Sequence, residues 1–174
     1  KDSTISNRIY YKKGYRWGNL PATFLLNDFD KLMVYLFSEF TDESAKYLNE
    51  SKRTSNKVVA PITKIDLVKQ FWEKVLPHRQ LILNGLNVQT CTAGNEESAY
   101  SASEMSDGER VVFYLIGQCL AAPEDGVIII DEPEIHLHKS IQAPLWIEIQ
   151  KLRSDCLFVY MTHDVDFAVS LPDS

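Results

Sequence analysis

Residues 127–132 read VIIIDE: four aliphatic side chains, then two carboxylates. Asp131 and Glu132 are thus delivered together at the end of a greasy segment, an arrangement that suits phosphoryl chemistry. One carboxylate can hold Mg²⁺, usually through water, while the next polarises an attacking water. A second apolar run, LFVYM at 157–161, ends in Thr162-His163-Asp164. An imidazole in that position can hydrogen-bond a terminal phosphate or the attacking water. A third group, Ser106, Asp107, Gly108 and Glu109, stands just before a long apolar run from Val111 to Ala122. Ser106 and Asp107 are good N-cap residues, and the exposed N–H groups and positive dipole end of a helix starting there would suit an anion. Taken alone, that segment is more simply an ordinary capped helix.

His136 and His138 alternate with Glu134 close to Asp131, so a hydrolytic zinc or manganese site is a competing reading. Two histidines spaced this way point to the same side only on a strand, and Pro133 argues against a strand there. Interface contacts or support for neighbouring groups are the simpler roles for both. Arg110 and Lys139 could neutralise phosphate, but each reads equally as a solvated charge. Trp17, Trp72 and Trp146 read as core aromatics and His78 as surface.

The elements that would carry these groups follow from periodicity. VIII predicts a short strand buried on both faces in a parallel sheet, and LFVYM a second one. Between them Ser140 can cap a helix with Ile141, Leu145, Ile149 and Leu152 on one face, Pro144 being tolerated in its first turn. Strand, helix, strand predicts a right-handed parallel crossover, which puts Asp131, Glu132 and His163 at one rim of the sheet. Val111–Ala122 is apolar nearly all round, as in a helix inside a larger core. Upstream, residues 5–27 read as a short hairpin or extended lead-in around Gly14. A helix is expected from Asp28, carrying Phe29, Leu32, Met33, Leu36, Phe37 and Phe40 on one face. Residues 49–57 read as a polar connection. A second amphipathic helix spans 62–76 and ends at Pro77, and LILNGLNVQTCT reads as a β-hairpin around Asn84-Gly85, followed by a further polar stretch.

Composition bounds the answer. With 174 residues, 45% hydrophobic and 11% aromatic, the chain can bury a core as one domain or two small lobes. No run approaches the roughly 20 apolar residues of a spanning helix, and KDSTISNRIYYKK lacks the apolar run of a signal peptide. Cys91, Cys119 and Cys156 are odd in number and form no C-x-x-C pair, so neither a disulfide framework nor a zinc clip is expected, and a cytoplasmic location fits. The net charge of −6 leaves no basic stripe, so charge does not indicate DNA binding.

MSDGER resembles the signature of ABC ATPases, usually Leu-Ser-Gly-Gly-Gln; VIIIDEPEIHLH resembles Walker B with its D-loop; MTHD resembles the H-loop. In that order and spacing, over about residues 101–168, the chain resembles an ABC-type ATPase domain of the branch containing SMC, DNA-repair and OLD-like ATPases. The DEPE-x-HLH wording is particularly similar to OLD-type and related bacterial anti-phage ATPases. The resemblance implies an α/β fold: a partial P-loop NTPase core with parallel strands and flanking helices in residues 101–174, and a helical lobe with a lead-in hairpin in 1–100. It implies ATP and Mg²⁺ as cofactors, Asp131 as the Mg²⁺ group, Glu132 and His163 in hydrolysis, and Ser106, Asp107, Gly108 and Glu109 against the nucleotide of a partner subunit in a head-to-tail homodimer. It further implies a switch that governs an effector nuclease or toxin.

Two departures stand out. Asp107 replaces the first signature glycine and Glu109 the glutamine, which brings a second acid towards the phosphate. No G-x-x-x-x-G-K-[ST] occurs, so the phosphate cradle is missing and the chain reads as the carboxy-terminal part of a longer ATPase that does not hydrolyse ATP unaided. A non-catalytic interaction module is the remaining alternative, against which Asp131, Glu132 and His163 weigh.

Overall fold

The computed structural model describes residues 21–54, 58–84 and 87–171, with side chains from residue 29 onward. Helix α1 (Pro21–Arg53) carries Leu32 and Leu36 into the core, with Phe29, Met33, Phe37 and Phe40 packed beside them. The helix begins seven residues before Asp28 and runs through Asn49–Arg53, so residues 21–27 are helical rather than extended, and 49–53 helical rather than a connection. Proline opens it at a first-turn position, where its missing N–H removes no bond. The rest of the hairpin expected over 5–27, and Trp17, lie outside the described residues.

Helix α2 (Lys64–Val75) starts on a reciprocal cap. The Thr63 side chain accepts the Asp66 N–H, and the Asp66 carboxylate accepts the Thr63 N–H at 2.9 Å. Ile65, Val68, Trp72 and Val75 form its buried stripe. Three antiparallel strands follow in the order β1 (Arg79–Asn84), β2 (Asn87–Thr92) and β3 (Asn95–Ser101). The register pairs Asn84 with Asn87, which is the expected hairpin, and Thr90 with Tyr100. Strand β3 replaces the expected polar stretch.

A 3-10 turn (Ala102–Glu104) leads into α3 (Asp107–Ala121), whose Val112, Phe113, Ile116 and Gly117 are buried. A Cβ on Gly117 would stand 2.7 Å from Leu32 Cδ2, so the absent side chain is what lets α1 approach. Beyond it, β4 (Val127–Asp131), α4 (Lys139–Leu152) and β5 (Leu157–Met161) form the strand–helix–strand unit, and α5 (Val165–Ser170) closes the described chain. Strands β4 and β5 are parallel and in register from Val127↔Leu157 to Asp131↔Met161. The Arg153 guanidinium ties the unit to the end of α3 through the carbonyls of Ala122 at 3.0 Å and Pro123 at 2.8 Å.

One core serves all of this. Leu32, Leu36, Trp72, Leu81, Phe113, Leu145, Trp146 and Phe167 belong to a single buried cluster that continues across residue 100. The parallel pair, however, is covered on one face only. Ile128, Ile130, Phe158 and Tyr160 pack on the core, whereas Val127, Ile129, Leu157, Val159 and Met161 are exposed, Val127 at 60% and Leu157 at 63%. The expected burial on both faces therefore does not hold, because among the described residues the helices lie on one side of a two-stranded sheet. The molecule is α/β, with parallel strands flanked by helices. No helix among the described residues is long and apolar enough to cross a membrane.

Candidate functional site

Asp131 is the last residue of β4, paired with Met161, and the Glu132 N–H donates to the Met161 carbonyl at 2.8 Å. His163 follows Met161 by two residues, so the backbones bearing Asp131, Glu132 and His163 leave the parallel pair at the same end. All three residues are exposed. Glu132 has φ 50°, the left-handed region, which costs a residue with a Cβ about 1 kcal/mol or more. The chain turns sharply there, and the Ile135 N–H returns to the Glu132 carbonyl at 3.1 Å.

The turn is held from below. Gln142, buried on α4, donates to the carbonyls of Glu134 at 3.1 Å and Leu137 at 3.0 Å, and the Trp146 indole donates to the Pro133 carbonyl at 3.0 Å. From the neighbouring strand end, the Thr162 hydroxyl donates to Glu134 Oε1 at 2.8 Å and accepts the Asp164 N–H at 2.9 Å. Asp164 caps α5, accepting the Phe167 N–H at 3.1 Å. The expected helix cap at Ser140 falls instead on His138: its Nδ1 accepts the Ser140 N–H at 3.3 Å and lies 2.9 Å from the Ser140 hydroxyl. His136 is exposed at φ 63°. Among the described residues no three His, Cys, Asp or Glu side chains gather as a metal-binding group, which leaves the zinc or manganese reading without a ligand set. Lys139 pairs with Asp166 at 3.0 Å, a hydrogen bond that raises its ammonium above the ordinary value.

The second group sits at the start of α3. Ser106 is the N-cap and exposed, Asp107 is exposed, and Gly108 is half-buried, with no atom of the described residues beyond its own stretch of helix within 4 Å of where a Cβ would stand. Glu109 differs from its expected place beside a phosphate: it is only 6% exposed and turned inward. Its carboxylate accepts the Ser106 N–H at 2.8 Å, the Ser106 hydroxyl at 2.9 Å and the Tyr100 hydroxyl at 3.0 Å. Arg79 Nε lies 2.8 Å away, a close ion contact rather than an aligned hydrogen bond. Burial pushes the Glu109 carboxyl up, but these donors and the Arg79 charge outweigh it and hold the group below its ordinary value. Trp72 completes the anchorage by donating to the Glu109 carbonyl at 3.1 Å. Arg110 is also engaged, with the carbonyls of Ser103 and Met105.

Sequence reasoning missed Thr162, Gln142, Tyr100 and Arg79, and took Glu134 only as a metal-ligand candidate. The one available signal was position: Thr162 precedes His163, and Glu134 follows the Asp-Glu pair by two.

The family described as "AAA domain, putative AbiEii toxin, Type IV TA system" matches residues 77–170, more than half of the 174. None of the curated proteins compared with the chain matches it. Among solved structures, the SMC head bound to the C-winged helix domain of ScpA is 18% identical, with a TM-score of 0.46 over 60% of this chain and 35% of that one. A structure of SMC ATPases, described for ATP-driven dimerization and DNA stimulated activation, is 20% identical, with a TM-score of 0.44 over 59% of this chain and 68% of that one. The chain therefore spans about a third of the first of these and about two thirds of the second. On the family match, this chain belongs to the AAA family that covers its strand-end acids, its helix-start segment and its Thr162-His163-Asp164 turn.

Proposed function

We propose that this chain supplies the hydrolytic half of an ATP site that is completed between two copies of the whole protein. The observation that carries the reading is the common exit of Asp131, Glu132 and the Thr162-His163 turn from two paired parallel strands. In this reading Asp131 holds Mg²⁺ through water, Glu132 takes the proton of the attacking water, and His163 donates to the terminal phosphate region. Exposed carboxylate oxygen is the donor that Mg²⁺ prefers, and the open space outside Gly108 with the Asp107 and Gly108 N–H groups at the start of α3, ahead of the Glu109 N–H that the Ser106 side chain takes, fits an anion, so the residues present suit both groups. Mg²⁺ when bound would neutralise phosphate charge; the positioning belongs to the protein.

The phosphate cradle comes, in this reading, from a part of the protein outside these residues. A parallel sheet is ordinarily covered on both faces, and the exposed row Val127, Ile129, Leu157, Val159 and Met161 is an apolar surface of the kind a further layer of the same domain would bury. Ser106, Asp107 and Gly108 then serve the nucleotide of the partner copy, with Glu109 behind them as the clamp of Ser106. Closure of two copies makes the protein an ATP-driven switch in the cytoplasm, coupled to a toxin or nuclease effector, in phage defence or DNA-related work; the word toxin in the family description supports the first of these.

In the full-length protein, Glu132→Gln should keep nucleotide binding and lower turnover by about a hundredfold or more. Turnover that survives the change at wild-type rate would remove Glu132 from the role of base.

A further inference from the structure

His163 is exposed, yet the backbone on both sides of it is tied down. Thr162 before it accepts the Asp164 N–H and donates to Glu134 Oε1, while Asp164 after it caps α5. Glu134 belongs to the other strand-end turn, two residues past Glu132, and that turn is itself anchored by Gln142 and Trp146 on α4. The 2.8 Å Thr162–Glu134 contact therefore joins the turn that follows β4 to the turn that follows β5 through side chains. The second carboxylate oxygen of Glu134 is buried without a partner among the described residues. A buried carboxylate left half satisfied is costly and is retained where the remaining contact matters. It also explains why the site uses glutamate and threonine here: a short apolar pair would pack as well but could not fix a turn by direction.

We propose that Glu134 and Thr162 are positioning residues, a latch between the two strand-end turns that sets His163 relative to Asp131 and Glu132. This rests on the ATPase reading above. Neither side chain need touch nucleotide; both act through the backbone on either side of His163. Because hydrolysis depends on placing the attacking water and phosphate against fixed groups, a small rotation of the 162–164 turn affects the chemical step more than binding.

The test is steady-state ATP hydrolysis by the full-length protein with Thr162→Val, Thr162→Ser, Glu134→Ala and the Val/Ala double variant. Thr162→Val keeps the shape of the side chain and loses both the donor to Glu134 and the acceptor of the Asp164 N–H, whereas Glu134→Ala removes the first contact alone; kcat should fall about tenfold in each with KM for ATP within about twofold. Thr162→Ser should recover most of that loss. The double variant should be about as slow as the worse single one, since both break the same contact. Thermal melting accompanies each variant, so that a fall in kcat counts only where the fold is intact; Glu134→Ala carries the test if Thr162→Val does not fold, with the same expected fall in kcat at unchanged KM. Wild-type kcat in folded Thr162→Val, a rise in KM instead of a fall in kcat, or losses that multiply in the double variant would each overturn the latch. Asp131→Asn and His163→Ala run alongside separate the two failures. If these abolish hydrolysis while folded Thr162→Val keeps the wild-type kcat, the latch alone is wrong; if they leave hydrolysis intact, the ATPase reading is wrong.

Discussion

Glu109 illustrates how one residue can belong to a candidate anion-binding segment without facing outward from it. Its carboxylate is spent on Ser106, Tyr100 and Arg79, so the acid read as an added negative charge beside a phosphate is instead what holds the cap of α3 in place. Its folded-state value lies below the ordinary 4.5, despite burial, because of the Ser106, Tyr100 and Arg79 contacts. A carboxyl depressed on folding contributes fully above the unfolded value and loses that contribution as pH falls through the folded one. Glu109→Gln should therefore cost about 2 kcal/mol at neutral pH, and the gap to the wild type should narrow as pH drops below about 4.5. Thermal melts of both proteins across that range check it: a gap independent of pH would mean the charge of Glu109 adds nothing to the fold.

At the scale of elements, the fold depends on how closely α1 can lie on α3. Gly117 leaves no room for a Cβ beside Leu32, which is 3% exposed and cannot swing into solvent. Gly117→Val should lower stability by about 2 kcal/mol, read as a drop in melting temperature, and adding Leu32→Ala should return part of it by making room. Simple addition of the two losses would mean that the helices do not meet there. This contact was not readable from the sequence, where Gly117 is an unremarkable interruption of an apolar run. What could be read was what periodicity specifies: the buried stripes of α1 and α2, the parallel pair, and the acids and histidine at its end. Strand β3 could not, since NEESAYS has no apolar alternation; it pairs with β2 and sends Tyr100 to Glu109. Nor could the open face of β4 and β5, since VIII and LFVYM read as buried on both sides whether or not anything covers them. The cap at His138 was hidden because a serine two residues later offers the commoner capping side chain.

For the whole molecule, the proposed pairing of two copies rests on where an anion could be served. The start of α3 is braced behind by Glu109 and Trp72, while outside Gly108 no atom of the described residues beyond the helix's own nearby backbone and the adjoining residues comes within 4 Å of a Cβ position. A rigid helix start with open space before it offers its N–H groups to something outside the chain, and a phosphate held by a partner copy meets that description. The same openness makes the position a clean probe. Gly108→Trp meets no neighbour at its Cβ, and an added side chain in a helix favours folding by up to about 0.5 kcal/mol over glycine, so the variant should melt no lower than the wild type. In the slow Glu132→Gln background with ATP, however, the indole should occupy the space a partner's phosphate needs, and light scattering should show single copies where the Gly108 parent shows pairs. Pairs that persist in the tryptophan variant would move the contact between copies to another surface, and the exposed apolar row on β4 and β5 would then be the first place to look.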